Sequence, residues 1–159
     1  MAYRNILKIG DPLLEKVSKE AKIDEKLWRL LDDLRDTLAK ADGLGLEAPQ
    51  VGILRRVAII VDEKGEIIEL INPIIVKSNG SVVDAEGCLS VPGRFGEVER
   101  PQEVTIGTYD RDGSYRKIEL ADYAARAACH EIDHLDGVLF VGKVTRFLSD
   151  EELGKAGKK

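Results

Sequence analysis

An α+β fold, with helices segregated from a run of antiparallel strands, is what this 159-residue sequence predicts. Three observations carry it: leucines at helical spacing early in the chain, β-branched runs parted by turn tetrads in the middle, and a second amphipathic stretch towards the end. The first helix spans about residues 25 to 41, with Asp24 as its N-cap and Leu27, Leu30, Leu31, Leu34, Leu38 and Ala41 along one face. Glycines follow it. Val57 to Val61 is a β-branched run, Asp62-Glu63-Lys64-Gly65 reads as a turn, and Ile67 to Ile71 is the returning strand. Asn79-Gly80, set between Ile74-Ile75-Val76 and Val82-Val83, predicts a hairpin. Val104 to Tyr109 and Tyr115 to Leu120 form another pair around Asp110-Arg111-Asp112-Gly113. Asp122 is expected to cap a second helix that runs to about Asp136 and stops at Gly137. Its stripe of Ala125, Ala128, Cys129, Ile132 and Leu135 buries one face against the strands.

Composition narrows the function. The charge balance, 24 Lys and Arg against 29 Asp and Glu for a net −5, argues against a nucleic-acid or anionic-membrane partner, since both attract a basic face. Only Lys155 to Lys159 leans basic, as a solvated tail does. The longest apolar run, Val57 to Val61, is far short of the ~20 residues of a membrane helix. No apolar export signal follows Met1, so Cys88 and Cys129 are expected to be thiols in a reducing cytoplasm.

The chemistry concentrates in His130-Glu131-Ile132-Asp133-His134, inside the second helix. Residues four apart lie one turn apart on one face, so both imidazoles can converge on one ion. Glu131 is rotated beside them, where a carboxylate can take a proton from ion-activated water. These are the only two histidines of the chain. A catalytic ion needs a third ligand. Cys129 points about 100° away, into the apolar stripe. Cys88, in Glu86-Gly87-Cys88-Leu89-Ser90, would complete an S,N,N set. A zinc metallopeptidase of HExxH type is the competing function, and Gly137 even fits the extended metzincin motif. Phe140, however, stands where that motif needs its third histidine, and a phenyl ring binds no metal.

Three segments, in this order and at these separations, resemble one family, peptide deformylase. They are Gly43-Leu44-Gly45-Leu46-Glu47-Ala48-Pro49-Gln50, Glu86-Gly87-Cys88-Leu89-Ser90, and His130-Glu131-Ile132-Asp133-His134. The match extends through Ile9-Gly10-Asp11-Pro12 and Asn72-Pro73. The resemblance implies antiparallel sheets wrapped around a central helix carrying the metal-binding HExxH motif. Residues 1–150 would be a single catalytic domain and 151–159 a short tail.

Carried over by motif, Cys88, His130 and His134 would bind one divalent ion, with Fe(II) typical and Ni(II), Co(II) or Zn(II) as substitutes. Glu131 would be the general acid/base. The Gln50 side-chain amide and the Leu89 N–H would face the formyl oxygen, and Leu44, Gly45, Glu86, Gly87 and Leu89 would contact the substrate. That substrate would be a nascent chain beginning with N-formylmethionine, from which formate is released. Glu86 would pair with Arg100 to brace the Cys88 loop, and Arg126, one turn before His130, would border the methionine pocket or face solvent. The resemblance also allows a transient ribosome contact, although Ser149 to Leu153 leaves room for only a short terminal helix. Glu47 departs from the family motif, which has a small residue there. A carboxylate at that place must face water or find a partner, because burying it alone is expensive.

Overall fold

In a computed structural model, which describes residues 3–41 and 43–156, the first helix is α1 (Glu25–Ala41). Asp24 opens it as expected, accepting a hydrogen bond from the Leu27 N–H at 3.0 Å. Five strands follow one another into an antiparallel sheet: β1 (Gly45–Glu47), β2 (Val57–Val61), β3 (Ile67–Asn79), β6 (Glu103–Tyr109) and β7 (Tyr115–Ala121), in spatial order β1-β2-β3-β6-β7. A second sheet holds β4 (Val82–Cys88), β5 (Val91–Arg100) and β8 (Arg146–Phe147), with β5 in the middle. The second helix, α2 (Asp122–Leu135), contains the whole HExxH segment, and a short α3 (Asp150–Ala156) closes the described chain. The last residues of the 151–159 tail, 157–159, lie outside the described residues.

Strand β2 explains how the layers meet. It is buried on both faces, and successive residues point to opposite sides. Val57 and Ile59, with Ile71 of β3, pack against the α1 leucines. Ala58 and Ile60, with Leu70 of β3 and Val104 and Ile106 of β6, pack against Ala125, Ala128, Cys129, Ile132 and Leu135 of α2. The predicted apolar stripe is therefore the face α2 lays on the five-stranded sheet. Its other side is polar and meets β4 and β5: Arg126 donates to the carbonyls of Val82 and Val98 at 2.8 and 2.9 Å.

Three local expectations are corrected. Asn79-Gly80 does not make a hairpin, because β3 and β4 belong to different sheets. Asn79 lies opposite Glu103, Val82 lies opposite Arg100, and the Gln102 N–H donates to the Asn79 carbonyl at 3.1 Å. The bend is thus a corner where two adjacent strands pass together from one sheet to the other. Ile67–Ile71 and Ile74–Val76 are not separate strands but one, β3, with a register shift where Asn72 has φ 49°. Asn tolerates that conformation, and its side chain bonds both the N–H and the carbonyl of Ala21, at 2.7 and 3.0 Å.

Asp122, finally, is not the cap of α2. It is the first helical residue, at φ 52°, and its own N–H is tied to the Gln102 carbonyl. The cap comes from Glu63, in the turn after β2, whose Oε1 accepts from the Ala124 N–H at 3.0 Å. At the other end Gly137 does terminate the helix, at φ 79°, and any Cβ there would stand 2.5 Å from the Glu15 carbonyl oxygen.

An ion-pair cluster ties α1 to the far turn of the sheet. Glu69 of β3 accepts from Arg35 of α1 at 2.9 Å and from Arg111, between β6 and β7, at 2.6 and 2.9 Å. Burial raises the Glu69 pKa, but the two guanidinium groups outweigh it and hold the carboxyl below its ordinary range. A depressed pKa contributes stability above the unfolded value and loses it as pH falls through the folded one. Both arginines are partly exposed, so the contribution is screened. We expect Glu69→Gln to cost about 1 kcal/mol at pH 7. That cost should vanish in acid, below the lowered pKa. Urea melts at the two pH values check this, and a pH-independent cost would contradict it.

Candidate active site

The three segments singled out in the sequence come together at α2. Cys88 ends β4, and its Sγ lies 3.6 Å from His134 Nε2. Ligand atoms of Cys88, His130 and His134 all fall within 4.8 Å of one another. Two donors bound tetrahedrally at about 2.3 Å for sulfur and about 2.05 Å for nitrogen stand about 3.6 Å apart. The donor set therefore fits a divalent ion, and these three residues could hold one. The imidazole rings stack with centroids 4.6 Å apart, as spacing by one helical turn requires.

Each imidazole is backed by a buried carboxylate through Nδ1, which leaves Nε2 for a ligand bond. His130 Nδ1 is 2.8 Å from Glu86 Oε1, and His134 Nδ1 is 2.9 Å from Glu47 Oε1. Glu86 is closed on its remaining sides by Arg100, at 2.8 and 3.0 Å, and by Arg126 at 2.6 Å. Burial would raise its pKa, but the hydrogen bonds from His130 and Arg100 prevail and hold it at about 2. The expected Glu86–Arg100 pair is present, and Arg100 also reaches Asp133 on α2. Arg126 borders the groove and does not face solvent: it is buried, and it braces Glu86, a contact the sequence did not suggest.

Glu131 is 4% exposed and projects towards β1. A Cβ on Gly45 would come within 2.4 Å of its Oε2, so only glycine lets the strand pass so near the carboxylate. Glu131 sits against Glu47, and Glu131 Oε1 and Glu47 Oε2 are both buried without a hydrogen-bond partner. Burial first, and then the neighbouring Glu47 charge, push the Glu131 pKa well above the usual carboxylate range. Burial likewise carries Glu47 to about 8. The departure at position 47 has found a partner rather than water.

Gln50 lies one layer deeper than the groove wall. Its Oε1 accepts from the Glu47 N–H at 3.1 Å, and its Nε2 donates to Ser90 Oγ at 2.9 Å and approaches Cys88 Sγ at 3.5 Å. The N-terminal segment fastens both loops: Leu7 N–H donates to the Gln50 carbonyl at 2.7 Å and Ile9 N–H to the Ser90 carbonyl at 2.8 Å. Leu44, Gly45, Glu86, Gly87 and Leu89, the positions expected to contact substrate, all line one groove of about 590 Å³ together with His130 and Glu131. The Glu86 carboxylate itself is engaged with His130, Arg100 and Arg126. Val91, Phe95 and Tyr123 extend the wall and went unnoticed in the sequence, where nothing distinguishes them from ordinary apolar positions. Phe140, which excludes the metzincin ligand set, is fully buried with its ring stacked 5.8 Å from that of His130.

What such a groove can do is cleave an amide with water, so fold and site define a metal-dependent hydrolase. The family model for polypeptide deformylase matches residues 3–149, and the chain belongs to that family, enzymes that remove the formyl group from N-formyl-Met peptides. A peptide deformylase of Caldicellulosiruptor bescii is 53% identical over 154 residues, which cover 96% of this chain and 92% of that one. The crystal structure of peptide deformylase from Thermotoga maritima superposes with a TM-score of 0.87 at 37% identity, covering 91% of this chain and 99% of that one. The Met-Ala-Ser-bound class I type b peptide deformylase from Acinetobacter baumannii gives a TM-score of 0.85 at 28% identity, covering 90% and 99%. No helix among the described residues is long and apolar enough to cross a membrane.

Proposed function

We propose that residues 1–150 form one catalytic unit of antiparallel sheets around a central metal-binding helix, and that it deformylates nascent chains in the cytoplasm through Cys88, His130, His134, Glu131, Gln50 and Leu89. The single observation that carries this is the meeting of Cys88 Sγ with His134 Nε2 at 3.6 Å beside a buried carboxyl of raised pKa. Cys88, His130 and His134 would hold the ion. An S,N,N set accepts Fe(II), which we assign, and also Ni(II), Co(II) or Zn(II). When bound, the ion supplies a Lewis acid that lowers the pKa of water and polarises the formyl oxygen.

The chain's own residues do the rest. Glu131 takes a proton from the attacking water, whose oxygen bonds to the formyl carbon. The negative charge that develops on the formyl oxygen is met by the Leu89 N–H and by the Gln50 amide, whose Nε2 hydrogen exchanges its long approach to Cys88 Sγ for the oxygen. Glu131 then returns the proton to the amine nitrogen as the C–N bond breaks, leaving formate and a free N-terminal amine. A carboxyl whose pKa is raised by burial is a stronger base than an ordinary carboxylate, which favours the first of these transfers.

The substrate main chain runs along β1, the edge strand of its sheet, with Gly45 as the point of closest approach. The apolar wall of Val91, Phe95 and Tyr123 takes the methionine side chain, an unbranched thioether that fills irregular apolar space well.

With the protein reconstituted anaerobically with Fe(II), formyl-Met-Ala-Ser should yield formate and a primary amine in equal amounts, its peptide bonds intact. Cleavage of internal bonds in unformylated peptides, without formate, would instead mark a metallopeptidase.

A further inference from the structure

The two imidazoles of α2 are backed differently. Behind His130, the Glu86 carboxylate is neutralised by Arg100 and Arg126. Behind His134, the Glu47 carboxylate is fully buried, and among the described residues His134 is its one ion-pair partner. Its Oε1 stands 2.9 Å from His134 Nδ1, while Oε2 meets no donor. Two constraints keep it there. Glu47 is paired with Ala58 of β2 in the sheet, and its N–H is bonded to Gln50 Oε1. Both hold the backbone from which the carboxylate projects, and there it is fully enclosed.

Burial, with Glu131 packed against it, makes an ionised Glu47 costly unless an opposite charge lies within reach. The route to one runs through the ring. Nδ1 faces Glu47, and Nε2, across the imidazole, faces Cys88 Sγ at 3.6 Å. A cation on Nε2 would balance the carboxylate on Nδ1. The carboxylate in turn would hold the proton on Nδ1 and make the ring a stronger donor.

We propose that Glu47 is a positioning residue for the metal in this chain: it fixes the orientation and tautomer of His134, and its charge tightens the hold on a divalent cation. This rests on Cys88, His130 and His134 being the ligands. It makes the departure at position 47 a device for retaining metal, with both imidazoles carboxylate-backed rather than one.

The test uses Co(II) as the probe on the full chain. Affinity is measured by competition with a chromophoric chelator, and the thiolate-to-cobalt absorption band reports the ligand set. Glu47→Gln keeps an acceptor for the Nδ1 proton but removes the charge, and should weaken binding by roughly 3- to 10-fold with the band retained. Glu47→Ala removes both and should weaken it by roughly 10- to 100-fold, with a changed band and faster release to chelator. Glu47→Gln is near-isosteric, so it decides the matter if the alanine variant fails to fold. Co(II) binding within 2-fold of the parent in Glu47→Gln, with the same release rate, would overturn the inference while leaving the ligand set intact. Parent-like binding and an unchanged band in Cys88→Ala would overturn the ligand set, and the inference with it.

Discussion

Glu131→Gln should bind its metal in full and lower kcat by roughly 10²- to 10⁴-fold, the range general acid–base catalysis supplies. The variant keeps the shape of a side chain that lies against Gly45, so β1 and the groove should be undisturbed. It loses the ability to take a proton from water and hand it to the amine. Because that transfer belongs to the transition state, KM should change little and the loss should appear in kcat. A second signature comes from the buried pair. Burial and the neighbouring Glu47 charge both raise the Glu131 pKa, so replacing Glu131 by a neutral amide should raise the melting temperature of the chelator-treated protein at pH 8. Formate release, metal content and thermal melts on one preparation check all three. A variant turning over at the parent rate would remove Glu131 from the mechanism.

Cys88→Ala should lose the metal during dialysis and with it all turnover above background. Two imidazoles alone leave an ion short of the three protein ligands a catalytic site uses. The sulfur cannot be replaced by the other cysteine. Cys129 faces the sheet at 3% exposure, and burial pushes its thiol up to about 11. Cys129→Ala is the matched control: a loss of about 1–2 kcal/mol of stability from the small cavity, with metal content and kcat retained. One ion per chain and parent turnover in Cys88→Ala would contradict the assigned ligand set.

The helices and the histidine pair were legible because their signals are local. Leucines three and four apart, a capping Asp24 and imidazoles one turn apart are all properties of one continuous segment. Pairing across the fold is not. Asn79-Gly80 specifies a bend, and nothing in those two residues says whether the next strand returns to the same sheet. The cap of α2 was missed for the same reason, since Glu63 reaches it from 61 residues away. Glu47 stood out in the sequence as a carboxyl in a small-residue place, yet its partner, His134, is 87 positions along. Only the packing of β1 on α2 brings the two together. Glu86–Arg100 was foreseen by resemblance, whereas the bracing of the same carboxylate by Arg126 follows from burial that spacing alone does not report.

Strand β1 is three residues long and stands at the rim of its sheet. Three residues offer an incoming chain about 10 Å of main-chain bonding, at ~3.3 Å each. Past that length the guest has no ladder to join, and whatever amino acids follow go unread. With the substrate bound as proposed, an enzyme so built would judge only the first few units of a polypeptide and could serve chains of every later composition. The same brevity denies other strands a template on which to stack.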